Sequence, residues 1–158
     1  MADRPPAVVP DTSVVLKWFL HEQEPGRERA LALRRAYLEG RARLLVPDLL
    51  FYEVANVLRC KPDWDARRAA RAVAALFALQ MEIVSVSPPL LQQAIALACE
   101  RDLAIYDAAF VILAANAGAD FITADEQLAR RLEPLPYVHR LVSGLDHGGR
   151  PHREEMTR

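Results

Sequence analysis

Cysteine is scarce in this chain, and lysine is just as rare. Cys60 and Cys99 are the two cysteines in 158 residues, with no CxxC pair and no Cys/His cluster. That excludes a disulfide framework and a thiolate zinc site. Lysine occurs only at Lys17 and Lys61, and arginine supplies the other basic side chains. The formal net charge is −1, which excludes a protein that binds by coating phosphates with a strongly basic surface. It leaves room for a site where a cation and a few arginines grip a phosphate. Long uninterrupted apolar runs are also missing. The most apolar stretch, Leu103 to Ala119, is broken by Asp107 and Asn116 and makes a poor membrane span. No apolar run precedes Asp11 to act as a secretory signal, so a reduced, cytoplasmic protein is the expectation.

What is present is ordinary for a single globular domain: 52% hydrophobic and 26% charged residues. Short β-type runs alternate with longer helical ones. Strands are expected at Ala7–Val9, Leu44–Val46, Glu82–Val86, Phe121–Thr123 and Tyr137–Val142. Helices are expected over 14–20, 27–39, from Asp48 to about Cys60, from 66 to about Gln80, and over 90–101, 107–117 and 126–132. Strands separated by helices imply right-handed crossovers and a mainly parallel sheet, an α/β fold. From Ser143 the composition shifts to Gly, His, Arg and Glu. Residues 1–142 therefore read as the domain and 143–158 as a flexible tail, whose His147 and His152 belong to tail composition rather than to a metal site.

Four carboxylates stand in or at the edge of apolar segments. They are Asp11 after Ala7-Val-Val-Pro, Glu53 in Leu50-Phe-Tyr-Glu-Val-Ala, Asp107 in Ile105-Tyr-Asp-Ala-Ala-Phe and Asp125 after Phe121-Ile-Thr-Ala. A lone buried carboxylate costs several kcal/mol or shifts its pKa until it is neutral. Several become tolerable together when they share a divalent cation. Each also has a plainer reading. Asp11 could cap a helix, as could Asp107. Glu53 could lie along an apolar stripe with its head in solvent. Asp125 could be a first-turn acid behind a Thr123-x-x-Glu126 capping box. Taken as an ordered set, each at a strand end or early in a helix, they point to an acidic metal pocket and to phosphodiester hydrolysis. In an open parallel sheet the place for such a pocket is beyond the carboxyl ends of the strands.

The same residues carry a resemblance. Val9-Pro-Asp11-Thr-Ser, Tyr52-Glu53-Val-Ala-Asn, Ile105-Tyr-Asp107-Ala-Ala and Thr123-Ala-Asp125-Glu resemble, in order, the motifs of the PIN domain, particularly the VapC-type ribonuclease toxins of prokaryotic toxin–antitoxin pairs. The likeness spans about residues 7 to 142. It implies a three-layer α/β/α fold with the acids at one edge of the sheet, Mg²⁺ or Mn²⁺ as cofactor, cleavage of RNA, a homodimer and a cognate antitoxin. Two features depart from the pattern: Pro10 stands before the first acid where an aliphatic residue is usual, and the tail has no counterpart.

On this reading Asp11, Glu53, Asp107 and Asp125 are the catalytic and metal-binding set. Asp11 and Asp107 are direct ligands, and Ser13 and Thr123 orient the carboxylates. Arg67, Arg68 and Arg71 on one helix and Arg130-Arg131 on another are candidates to hold RNA, against the plainer reading of solvated helix faces. A haloacid-dehalogenase-like phosphatase would need a second Asp at the position of Ser13 and a lysine near the late acids, and has neither. A PIN-like module that binds without cutting, or a solitary RNA-processing nuclease with no antitoxin, are the remaining alternatives.

Overall fold

A computed structural model describes residues 4–21 and 23–141. The tail assigned to 143–158, with His147 and His152, lies outside the described residues. Within them, the elements are β1 (Ala7–Pro10), α1 (Thr12–Leu16), α2 (Arg27–Leu38), β2 (Arg43–Pro47), α3 (Leu49–Arg59), α4 (Ala66–Ala78), β3 (Glu82–Val84), α5 (Pro88–Arg101), α6 (Ile105–Ala117), β4 (Asp120–Thr123), α7 (Glu126–Arg131) and β5 (Val138–Arg140).

The strands form one sheet in the order β3-β2-β1-β4-β5, and every pairing is parallel. Buried on both faces, the central strands are nearly continuous apolar runs, Val8-Val9 and Leu44-Leu45-Val46. The chain moves outward from β1 through β2 to β3, then returns by α5 and α6 to place β4 on the other side of β1. That reversal opens a crevice between β1 and β4 at their carboxyl ends. α1 packs against α2 and α3, and α3 against α4, while α6 packs on β1, β2 and β4 and pairs with α5. The sheet is thus covered from two sides, as a parallel sheet requires. Val9, Val14, Leu44, Leu50, Phe110 and Phe121 fill the space between the layers. Among the described residues, no helix is long and apolar enough to cross a membrane.

Several boundaries differ from the sequence expectation. α1 ends at Leu16 rather than Leu20, and Lys17 to Phe19 follow in turn conformation. Trp18 is held there by its indole N–H on the Ala30 carbonyl, 2.8 Å. β3 stops at Val84, and α5 begins at Pro88 under the Ser87 cap instead of at Leu90. Proline in a first turn has no intrahelical donor to lose, so the two prolines start the helix instead of blocking it. α6 begins at Ile105, two residues before Asp107. Pro10, the unusual residue before the first acid, is the last residue of β1. The backbone N–H of Asp11 takes over the link to β4, bonding the Ile122 carbonyl at 3.0 Å.

Candidate functional site

Asp11 leaves the end of β1 and enters the crevice. Its Oδ1 caps α1 by accepting the Val14 N–H at 3.2 Å and also accepts the Ser13 hydroxyl. Its Oδ2 accepts the Thr123 hydroxyl at 2.5 Å from the end of β4. The helix-cap reading of Asp11 holds, and the same residue lines the pocket described below. Ser13 Oγ accepts the Ala124 N–H at 2.9 Å, and Thr123 Oγ1 accepts the Asp125 N–H at 3.0 Å. The two hydroxyls lace β1, α1 and the β4–α7 turn around one carboxylate.

Asp125 is the cap of α7, its Oδ1 accepting the N–H groups of Gln127 and Leu128 at 2.9 and 3.0 Å. The Thr123–Glu126 capping box does not form, because α7 starts at Glu126 with Asp125 as its cap. Glu53 rises half-buried from α3, and Thr12 donates its hydroxyl to Oε2. Asp107 stands half-buried in the first turn of α6, whose cap is Ala104 and not Asp107. All four acids line one pocket of about 300 Å³, together with Thr12, Ser13, Asn56, Val57, Phe110 and Leu128. A larger hollow of about 640 Å³ lies under the loop from His21 to Arg29. Among the described residues its lining comes from this stretch alone and includes none of these acids.

Burial and crowding set the charge state. Burial pushes the Asp11 carboxyl up to about 6, against the pull of its hydrogen bonds from Ser13, Thr123 and Val14, and the nearby charge of Asp107 adds to the rise. Glu53 is raised by burial and by Asp107, with the Thr12 hydrogen bond opposing. Asp107 is raised by burial and by Asp125. Asp107 thus raises both Asp11 and Glu53, and Asp125 raises Asp107, as expected of carboxylates that share a site. The donor set is hard oxygen, matched to Mg²⁺, Mn²⁺ or Ca²⁺ rather than to zinc or copper. Among the described residues, no three His, Cys, Asp or Glu side chains stand grouped so as to hold an ion. The hydroxyls hold Asp11 and Glu53 to the pocket wall, so an ion would draw on the carboxylate oxygens left over.

The arginines named from sequence do not line the pocket. Arg68 stacks over Trp64, 4.2 Å from the ring centre, and donates to the Asp63 carbonyl. Arg131 is tied to the carbonyl and carboxylate of Asp102. Arg67, Arg71 and Arg130 are exposed on α4 and α7. Sequence reasoning passed over Thr12 and Asn56. The signal for Asn56 was its position three residues after Glu53 on one helix face.

A family profile described as PIN domain matches residues 8–132. No curated protein matches this chain. Among solved structures, PAE2754 from Pyrobaculum aerophilum is 20% identical, covering 89% of this chain and 93% of its own, with a TM-score of 0.61. A chain of a toxin–antitoxin complex from Klebsiella pneumoniae is 17% identical, covering 85% and 97%, with a TM-score of 0.62. VapC20 of Mycobacterium tuberculosis, described as a sarcin-ricin loop cleaving toxin, is 16% identical, covering 78% and 93%, with a TM-score of 0.60. At these identities the likeness is one of fold.

Proposed function

Because the chain belongs to the PIN-domain family, we propose that it is a metal-dependent ribonuclease that hydrolyses RNA phosphodiester bonds. The observation that carries this reading is the meeting of Asp11, Glu53, Asp107 and Asp125, from four separate parts of the chain, in one pocket at the switch point of the sheet. Structural ion pairs do not account for it, since no cation from the protein pairs with any of the four among the described residues. Asp11 and Asp107 are the residues assigned to hold Mg²⁺ or Mn²⁺ directly, with Glu53 and Asp125 completing the set. Such a cation supplies neutralising charge, acidifies water and stabilises charge on the phosphoryl oxygens. The chain's part is to keep the carboxylates oriented. Thr123 and Ser13 fix both oxygens of Asp11, and Thr12 fixes Glu53.

Cleavage of labelled hairpin RNAs by the purified chain, in EDTA, Mg²⁺ or Mn²⁺, tests the assignment. The expected outcome is metal-dependent cutting that falls at least a hundredfold in Asp11→Asn and in Asp107→Asn, with both variants folded. Undiminished cutting by either variant sinks it.

Biologically, the reading extends to the toxin of a toxin–antitoxin pair with a protein antitoxin as partner. Support comes from structures of this fold described as a toxin–antitoxin complex and as a sarcin-ricin loop cleaving toxin. Expression in a bacterial host should arrest growth, Asp107→Asn should not, and co-expression of a neighbouring small gene should relieve the arrest. Growth unaffected by the active protein would favour a solitary processing nuclease.

The partner reading also includes a second copy of the chain. Tyr52, Val86 and Tyr106 are 76%, 60% and 58% exposed around an apolar groove completed by Leu49, Leu90 and Ala109. Tyr52 and Tyr106 each precede an acid of the pocket, so a twofold contact here would set two acidic pockets on neighbouring rims.

A further inference from the structure

The acidic pocket is rich in acceptors and short of donors. Its carboxylates can hold a cation, but they offer nothing to the non-bridging oxygens of a phosphodiester. The hydroxyls on its wall are already committed, Thr12 to Glu53 and Ser13 to Asp11. Of the described residues lining the pocket, Asn56 is the one whose side chain carries N–H groups. It lies on α3 one turn beyond Glu53, at the i+3 position that shares its face.

The orientation of this amide is set from outside the pocket. Asn56 Oδ1 accepts a hydrogen bond from Arg59 Nε at 2.9 Å. An arginine nitrogen can only donate, so the contact decides which end of the amide is oxygen. The Nδ2 group keeps its hydrogens without a hydrogen-bond partner among the described residues. A lysine or arginine in the same place would pair with the carboxylates and compete with the cation. A neutral amide donates to a phosphate oxygen and leaves the acids free.

Resting on the nuclease reading above, we infer that Asn56 is a substrate-positioning residue whose Nδ2 donates to a non-bridging oxygen of the scissile phosphodiester. Arg59 is the positioning residue that holds the amide in that sense. Asn56 is exposed, so its replacement leaves the core untouched.

The test compares the full-length wild type with Asn56→Ala, Asn56→Asp and Arg59→Ala. Initial rates are read on a labelled pool of hairpin RNAs with randomised loops in Mn²⁺, beside Mn²⁺ affinity by calorimetry. Asn56→Ala is expected to lower apparent kcat/KM by about ten- to a hundredfold, the range for losing one hydrogen bond to a charged group. Its Mn²⁺ affinity and melting temperature should stay at wild-type values. Arg59→Ala should lose less, because the amide can still be reached after rotation. Asn56→Asp should be the worst RNA cleaver, since it replaces a donor with a fifth negative charge. Wild-type cutting matched by Asn56→Ala overturns the inference and leaves the nuclease reading standing. So does a tenfold loss of Mn²⁺ affinity in Asn56→Ala, which would make the residue part of the metal site instead. A wild type that cuts nothing while binding no Mn²⁺ removes the nuclease reading and this inference with it.

Discussion

Asp11 is 7% exposed and accepts three hydrogen bonds, and its carboxyl is still pushed up to about 6 by burial. The donors stabilise the charged form, and desolvation outweighs them. The consequence for stability has a definite sign. Below about pH 4 the carboxyl is protonated in both folded and unfolded chains. Between there and about pH 6 the folded chain keeps a proton that the unfolded chain has released, so stability falls as pH rises. By pH 7 this group alone lowers the stability of the metal-free protein by about 3 kcal/mol relative to pH 4. Asp11→Asn removes the ionisation while keeping the shape. We expect the metal-free variant to be more stable than wild type at pH 7, by about 1–3 kcal/mol, and to have a flatter stability–pH profile between 4 and 7. Urea denaturation at several pH values in EDTA checks it. A variant less stable than wild type at pH 7 would mean that the Ser13 and Thr123 hydrogen bonds outweigh desolvation.

At the level of elements, α3 and α6 each serve two surfaces. Inward-facing Glu53 and Asp107 reach the acidic pocket, while the preceding residues, Tyr52 and Tyr106, project into the apolar groove. The cause is the 100° turn per residue of a helix, which sends neighbours to different sides. Leu50, Phe51, Val54 and Leu58 bury the remaining face of α3 in the core, and Phe51 stacks on Phe77 of α4 at 4.0 Å. A charge placed in the groove should therefore disturb association without disturbing the fold. Tyr106→Glu is expected to convert a dimer to a monomer in sedimentation equilibrium with its circular dichroism unchanged. A dimer that persists in this variant puts the interface elsewhere, and a wild-type monomer removes it.

For the whole molecule, the acids are a cost that only a ligand offsets. Asp11, Glu53 and Asp107 are all raised, with burial as the leading cause and neighbouring acids adding to each. A divalent cation that binds the folded chain and not the unfolded one should raise the melting temperature in proportion to the logarithm of its concentration. Protons compete for the same oxygens. The rise in Mn²⁺ should therefore be large at pH 7.5, several degrees at a hundredfold excess over Kd, and small at pH 5. A differential scanning melt with EDTA reversal reads this directly. An equal rise at both pH values would place the bound ions away from the acids.

Much of this was legible in the chain before any coordinates. The alternation of apolar strands with amphipathic runs determined an α/β class, because the two periods of hydrophobic placement are local and each element carries its own. The motifs around Asp11, Glu53, Asp107 and Asp125 were visible as charges where apolar neighbours make a charge expensive. What the sequence could not decide was anything depending on which partner a group finds. Thr123 could have capped α7 but turned to Asp11. Pro88 could have closed a strand but opened a helix. Arg68 stacks on Trp64 and Arg131 pairs with Asp102, partners that no local pattern announces. Asn56 is ordinary in sequence. It gains its place only because α3 lines the acidic pocket and Arg59 claims its oxygen. The crevice between β1 and β4 follows from long-range pairing, in contacts between residues more than a hundred positions apart. Local propensity carries no record of such contacts, so they were decided by the tertiary structure alone.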